Sequence, residues 1–379
     1  MSILTTAQDI SCDSEAQLAD VIRTGGPFVV AGGGTSRIGL AEGDRLRWTG
    51  TQFDYDPGAL TLVVSAGMSV DAVSVRLAEE HQRVAFEPSD LGPLLGREGA
   101  RSIGGMVASN ASGPRRVAVG ACRDACLGVR FVDGRGEIVK NGGRVMKNVT
   151  GLDLVKLMAG SQGTLGVLTE VSLKTQPIPE TTATLIFEGQ TEAEAVNTMS
   201  RALGTPFDIT GAAHLRQAAD GTPARTLLRL EGIEGAVRYR VEALQTRLSD
   251  LGEAAVEWEA AQSEATWGAI RDVTRFVGVP GDVWRLSVTP STAPALVAAI
   301  APLDVIYDWG GGRLWLLTFA GTDVRAKMGQ GHASLVRASD ETKRRLGVFP
   351  PENTIVARLS QGLRQTFDPE QKFNPRMMG

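Results

Sequence analysis

The sequence predicts a two-domain α+β protein, on three observations. Its 379 residues and 40.1 kDa exceed the common domain size of about 100–150 residues more than twofold. Short apolar runs alternate with segments whose apolar residues recur at helical spacing. More than half of the 45 glycines lie in bunches before residue 181, and the bunches stop where Gln176-Pro-Ile-Pro-Glu180 interrupts any regular element with two prolines. The domain boundary belongs near that segment.

In chain order, Ser14 to Thr24 has helical periodicity, Pro27 to Ala31 and Thr61 to Ser65 are apolar strands, and Ser69 to His81 is again helical. Ala125 to Val132, Glu137 to Val139 and Gly166 to Lys174 are further strands, the last with Val167, Thr169, Val171 and Leu173 alternating. Beyond the boundary, strand and helix candidates alternate: Thr181–Phe187 and Glu192–Leu203, Thr226–Leu230 and Val237–Leu251, Val283–Val288 and Ala293–Ala301, then the strand Arg313–Phe319. The echo has no fixed period, so it predicts a sheet with helices on one face rather than a repeat array.

Composition narrows the function classes. With 42% hydrophobic and 22% charged residues and a mean hydropathy of -0.03, the chain can bury a core and is neither a disordered tail nor a membrane bundle. Against 43 Asp+Glu, 39 Lys+Arg leave a net charge of -4, and the basic clusters are as short as Arg115-Arg116 and Lys343-Arg344-Arg345, so no nucleic-acid surface is indicated. Cys12, Cys122 and Cys126 form no Cys-x-x-Cys pair and are too few for a disulfide framework or a four-thiolate cluster. Free thiols suit a reducing cytosol. The N-terminus MSILTTAQDI has no basic region leading into an apolar stretch, and no run reaches about 18 apolar residues, so neither secretion nor membrane spanning is expected.

Three segments carry chemistry. In Phe28-Val-Val-Ala-Gly-Gly-Gly-Thr-Ser36 an apolar strand runs into Gly32, Gly33 and Gly34, whose amides can converge on an anion, with Thr35 and Ser36 adding hydroxyl donors. Leu40 after Gly39 breaks the P-loop pattern and Arg37 breaks G-x-G-x-x-G, which removes support for nucleotide hydrolysis and for a Rossmann NAD site. In Arg101-Ser-Ile-Gly-Gly-Met-Val-Ala-Ser-Asn-Ala-Ser-Gly113, Gly104 and Gly105 precede small residues against which a flat ring could lie, with Ser102, Ser109 and Asn110 at its edge; a tightly packed helix start would use the same residues. In Val145 to Glu170, Gly160, Gly163 and Gly166 recur every three residues before a strand.

These three glycine-rich segments, in this order, resemble the vanillyl-alcohol-oxidase or PCMH-type FAD-binding family. The resemblance implies a two-subdomain FAD-binding domain over 1–177, an α/β cap domain over 178–348, and a C-terminal tail over 349–379 that returns to the FAD domain. It implies that Gly32, Gly33, Gly34, Thr35 and Ser36 hold the FAD diphosphate. Ser102, Gly104, Gly105, Ala108, Ser109 and Gly113 would line diphosphate and flavin ring, Gly163, Thr164, Gly166 and Val167 would close the site, and Pro88 would approach the flavin. On this basis Gly33→Asp and Gly105→Asp are each expected to remove FAD.

Within the family the chain is most similar to the smaller FAD-binding subunit of bacterial glycolate oxidase, a likeness also carried by Val283 to Ser287, Tyr307 to Trp315, Gly331 to Ala338, Phe367-Asp-Pro and Phe373-Asn-Pro375. The resemblance then implies a cytoplasmic glycolate-oxidising complex, joined to the inner membrane only through its assembly, with a larger FAD-binding subunit and an iron-sulfur subunit as partners and quinone downstream. No histidine lies in the Gly32 to Ser36 loop, which implies non-covalent FAD. Oxidising a 2-hydroxy acid needs a cation for its carboxylate and a base for its hydroxyl proton. Arg285 and Arg313, flanked by tryptophans, are the cation candidates, although arginines also stack on tryptophan for purely structural reasons. His332 is the histidine candidate, standing alone where related dehydrogenases have a metal-binding pair, so no metal is expected. Glu87 and Asp90 read as solvated turn carboxylates, and no base is named. Two alternatives remain: a flavin relay or scaffold that leaves oxidation to the larger subunit, and a stand-alone FAD-dependent 2-hydroxy acid or alcohol oxidoreductase.

Overall fold

The computed structural model describes residues 7–144 and 151–377. The first residues of the N-terminal stretch and residues 145–150 of the third glycine segment lie outside that range.

Strand β1 (Asp9–Cys12) is followed by helix α1 (Glu15–Thr24). Ser14 starts α1 by accepting from the Gln17 amide, and Leu18, Ala19 and Ile22 form its buried face. Strands β2 (Phe28–Val30) and β3 (Asp44–Trp48) pair in parallel with β1 in the order β1-β3-β2. Next come β4 (Phe53–Asp56), β5 (Thr61–Ser65), helix α2 (Val70–Ala78), β6 (Gln82–Val84), the short helices α3 (Ile103–Ala108), α4 (Arg116–Val119) and α5 (Cys122–Ala125), then β7 (Cys126–Val132), β8 (Ile138–Gly142), α6 (Leu154–Met158) and β9 (Val167–Pro177). They form a six-stranded antiparallel sheet in the order β4-β5-β9-β7-β8, with β6 on β9. The alternation expected in β9 is only partly kept, because Val167 packs in the core beneath β2 while Leu168, Val171 and Leu173 pack beneath the larger sheet. Bulges in its pairing with β7 turn the strand between the two cores.

The second half contains β10 (Thr181–Glu188), α7 (Glu192–Leu203), β11 (Ile209–Leu215), β12 (Arg225–Gly232), α8 (Glu234–Arg247), β13 (Ala255–Glu257), α9 (Ala260–Arg271), β14 (Asp282–Ser287), α10 (Ala293–Ile300), β15 (Asp304–Asp308), β16 (Arg313–Thr318), β17 (His332–Arg337), α11 (Asp340–Leu346) and α12 (Thr354–Phe367). Its eight-stranded antiparallel sheet runs β13-β10-β12-β11-β15-β16-β14-β17. Ala183, Leu185, Leu228 and Trp284 face Val196, Val241 and Val297 of α7, α8 and α10 on one side. The opposite side is covered too. Helix α9 crosses it, with Trp267 Nε1 donating to Thr184 Oγ1 at 3.0 Å, and Ile38, Leu91 and Leu94 from the first half complete that layer.

Charge also joins the halves. Glu87 and Glu231 are surrounded by Arg83, Arg115 and Arg229, with Arg115 Nε 2.8 Å from Glu231 Oε2 and Arg83 Nη1 3.0 Å from Glu231 Oε1. Burial would raise both carboxyls, but the arginines outweigh it and hold them below the ordinary carboxylate range. Glu87 is therefore not a solvated turn residue; its side chain is 11% exposed.

Candidate functional site

A cavity of about 430 Å³ opens between the small parallel sheet, α3 and the segment before β9. Gly32, Gly33, Gly34, Thr35 and Ser36 line it directly after β2 ends. Among the described residues, none of these five amides donates to a protein acceptor. Five consecutive free donors are an anion cradle. Arg97 Nη1 donates to the Gly34 carbonyl at 3.0 Å and also to that of Arg37.

The glycines there answer to packing as well as to any ligand. A Cβ on Gly33 would stand 1.7 Å from the Ala100 carbonyl oxygen, and one on Gly32 would stand 1.8 Å from Ser102 Oγ. Gly34 adopts φ +77°, a conformation that favours glycine. The loop thus lies flush on residues 100–102, and Ser102 caps α3 through the Gly105 amide. Gly104, Gly105, Ala108 and Ser109 then present small side chains to the cavity. The second glycine segment is both a tight helix start and a cavity wall, since a Cβ on Gly104 would meet the Ala66 carbonyl at 3.1 Å.

Gly163, Gly166 and Val167 line the far wall. Pro88, Gly113 and Thr164 are not part of the lining. Thr164 turns inward to bond the Ser161 carbonyl, the Pro88 carbonyl accepts from Arg101, and Gly113 lies against Glu87 and accepts from Trp309. Asn374 also lines the cavity, its Nδ2 donating to the carbonyls of Gln162 and Gly163 at 2.8 and 3.1 Å while its Oδ1 accepts from the Val30 amide at 3.0 Å. Trp48, Arg37, Arg45, Arg97 and Ser161 are further lining residues that the sequence reading did not single out, although Arg37 directly follows the Gly32 to Ser36 run.

The cavity is shaped and charged for an anionic cofactor. Arg37, Arg45 and Arg97 face a single acid, Glu98, among the lining residues. Arg37 Nε and Nη1 and Ser161 Oγ are buried without a protein partner. Burial, then Arg97 and Arg45, push the Arg37 guanidinium below its usual value, as expected of a cation awaiting a counter-charge. A flavin dinucleotide fits these donors: the free amides and Arg37 match its diphosphate, and the small-residue face of α3 matches a flat ring. Among the described residues no histidine or cysteine lines the cavity.

The remaining candidates lie elsewhere. Arg313 is buried beneath Ser112, donating to its carbonyl at 2.7 Å and stacking on Trp309 and Trp315 at 4.6 Å from each ring centre. Arg116 covers Trp309 at 4.5 Å. Asp308 Oδ2 is 4.0 Å from Arg313 and has no hydrogen-bond donor. Burial dominates this pair, raising Asp308 to about 6 against the pull of Arg313 and lowering Arg313 to about 9. Burial and Arg116 likewise depress Arg285. Neither Arg285 nor Arg313 lines the cavity, and His332 is exposed on β17 opposite Ser287. Among the described residues no cluster of three or more His, Cys, Asp and Glu could hold a metal.

Residues 7–142 match the family described as FAD binding domain. The chain is 34% identical over 329 residues to glycolate oxidase subunit GlcE of Escherichia coli (strain K12), covering 86% of this chain and 83% of that one. It is 42% identical over 85 residues to glycolate oxidase subunit GlcD of Bacillus subtilis (strain 168), covering 22% and 18%. The fold is also that of an alkyldihydroxyacetonephosphate synthase structure, with a TM-score of 0.70 and 14% identity over 97% of this chain and 76% of that one. Likeness over 86% of the chain, joined to a cavity whose donors fit a flavin dinucleotide, places the chain in the PCMH-type FAD-binding flavoprotein family that includes glycolate oxidase subunit GlcE.

Proposed function

We propose that this chain is the smaller FAD-binding subunit of a glycolate oxidase complex, which oxidises glycolate to glyoxylate and passes electrons through an iron-sulfur partner toward quinone. The observation that carries the reading is the row of free amides at residues 32–36 beside an unpartnered Arg37, in a chain resembling a glycolate oxidase subunit over 86% of its length. Bound FAD would supply a two-electron acceptor for the hydride leaving the substrate carbon. In this reading the amides of 32–36 and Arg37 hold the diphosphate, Gly104, Gly105, Ala108 and Ser109 support the ring, and Asn374 and Gly163 shut the far wall. Without a histidine or cysteine in the described lining, the cofactor is dissociable. Cys12, Cys122 and Cys126 are buried thiols, too few for a cluster, so long-range electron transfer falls to a partner. Membrane attachment would come through the complex, since no helix among the described residues is long and apolar enough to cross a bilayer.

A second reading, a flavin relay with substrate oxidised on the larger subunit, is favoured by Arg313 being locked beneath Ser112 by stacking and hydrogen bonding. Absorbance spectroscopy of the purified chain, before and after acid precipitation and then with anaerobic glycolate, tests both. Flavin released to the supernatant, and bleached by glycolate in the native protein, supports independent oxidation. Flavin that stays oxidised supports the relay, and failure to bind FAD even on reconstitution overturns both.

A further inference from the structure

Helix α12 buries none of its 14 residues. It nevertheless has an apolar face. Ile355, Leu359 and Leu363 recur at four-residue spacing with Val356 alongside, and they are 68, 60, 40 and 42% exposed. Four large aliphatic side chains on one side of one helix make a contiguous patch, which a scattered exposed leucine does not. Gly362 falls on the same stripe, with no atom within 4 Å of where its Cβ would stand. A glycine inside an exposed helix costs about 1 kcal/mol relative to alanine, but it leaves a notch that another backbone can approach closely.

The fold holds the ends of α12 and leaves the stripe free. Asn353 caps the first turn by accepting from the Val356 amide at 2.9 Å. At the other end Phe367 packs on Phe131 with ring centres 5.9 Å apart, and Arg364 donates to the Phe373 carbonyl at 3.2 Å. A helix of this length is marginal in water without a packed face.

Charge distinguishes the possible occupants. Residues 354–367 contain Arg358 and Arg364 and no acid, in a chain whose net charge is -4. Glu352 accepts from Ser360 Oγ at 3.1 Å beside the helix, so a second copy would set four arginines against two glutamates and leave positive charge in excess. A groove with an acidic rim would complement it. We propose that α12 is a docking helix that lays Ile355, Val356, Leu359 and Leu363 into an apolar groove with an acidic rim on a second, different polypeptide. The inference rests on the reading of this chain as one subunit of a complex.

The test co-expresses the full chain with the larger FAD-binding subunit and the iron-sulfur subunit of the same organism and measures mass by size-exclusion chromatography with light scattering. The wild-type chain is expected to elute in a mixed complex. Leu359→Glu/Leu363→Glu should weaken association about 100-fold and release the chain, with flavin content and unfolding temperature unchanged because both leucines are exposed. Arg358→Glu should weaken association about tenfold and reduce its sensitivity to salt. A double variant that assembles as well as the wild type overturns the docking role alone. A wild-type chain that self-associates through this face overturns the choice of partner, and one that joins neither subunit overturns the complex reading and the inference together.

Discussion

Arg229 of β12 and Glu87 of the first half meet through two parallel hydrogen bonds of 2.8 and 2.9 Å, with both side chains nearly excluded from solvent. Removing the arginine would strand Glu87 and Glu231 beside each other with less compensation. Arg229→Met is expected to lower the free energy of unfolding by about 3–5 kcal/mol, read by chemical denaturation. A loss under about 1 kcal/mol would mean that apolar contacts alone hold the junction.

Acid should act on the buried groups in two stages. His214 is depressed to about 4 by burial, with Arg216 and Arg275 adding to it. Its contribution is fully present above the unfolded value of about 6.5 and is lost as pH falls toward 4, a change of roughly 3 kcal/mol. Glu87 and Glu231, held low by their arginines, contribute stability above about 4.3 that is lost only below it. Between about pH 6.5 and 4 the loss at His214 is opposed by Asp308, which burial raises to about 6 and which protonates first in the folded protein. Unfolding temperature followed from pH 8 to 3 should therefore show the first fall clearly only in Asp308→Asn, and adding His214→Phe should abolish it while keeping the second.

At Gly33 even one methyl group has nowhere to go, because its carbon would overlap the Ala100 carbonyl. Gly33→Ala should therefore part the two loops and reduce FAD occupancy severely, so the harm expected of Gly33→Asp begins with displaced backbone rather than with its charge. At Gly105 an added Cβ meets only Ser102 Oγ, at 3.1 Å. Gly105→Ala should retain most of its flavin while Gly105→Asp loses it. Equal retention by Gly33→Ala and Gly105→Ala, measured as the flavin-to-protein absorbance ratio, would contradict the close packing of residues 33 and 100.

Arg37→Gln should reduce FAD affinity by about 10- to 100-fold, the range for losing a charge-assisted hydrogen bond of about 1.5–3 kcal/mol. Riboflavin, which lacks the diphosphate, should bind the variant and the wild type equally in a fluorescence-quenching titration. Parallel losses for both ligands would place Arg37 near the ring instead.

The walls made by Gly32 to Ser36 and by Ser102 to Ser109 were legible because each is a continuous run in which the residue types themselves are unusual. Trp48 and Arg97 were not, because they reach the cavity from separate elements and their neighbours in sequence carry no matching signal, and Asn374 lay in the Phe373-Asn-Pro375 segment with no role assigned to it. Glu87 looked like a turn carboxylate beside Pro88, and nothing local announces that Arg229, 142 positions later, folds onto it. The main strands and helices followed from periodicity, whereas α9 on the second face of the large sheet did not, since a helix pattern specifies an apolar side and not which sheet face receives it. Arg285 and Arg313 were chosen for their tryptophan neighbours, which the structure uses to pack Arg313.

The bonds from Asn374 to Val30, Gln162 and Gly163 also impose an order in time. Val30 and Asn374 are separated by 344 positions, so at about 5–20 residues per second of synthesis the Gly32 to Ser36 loop waits about 20–70 s for the residue that completes its cavity. A nascent chain thus carries the Gly32 to Ser36 cradle with one wall missing until Asn374 has been made and has folded back onto Val30.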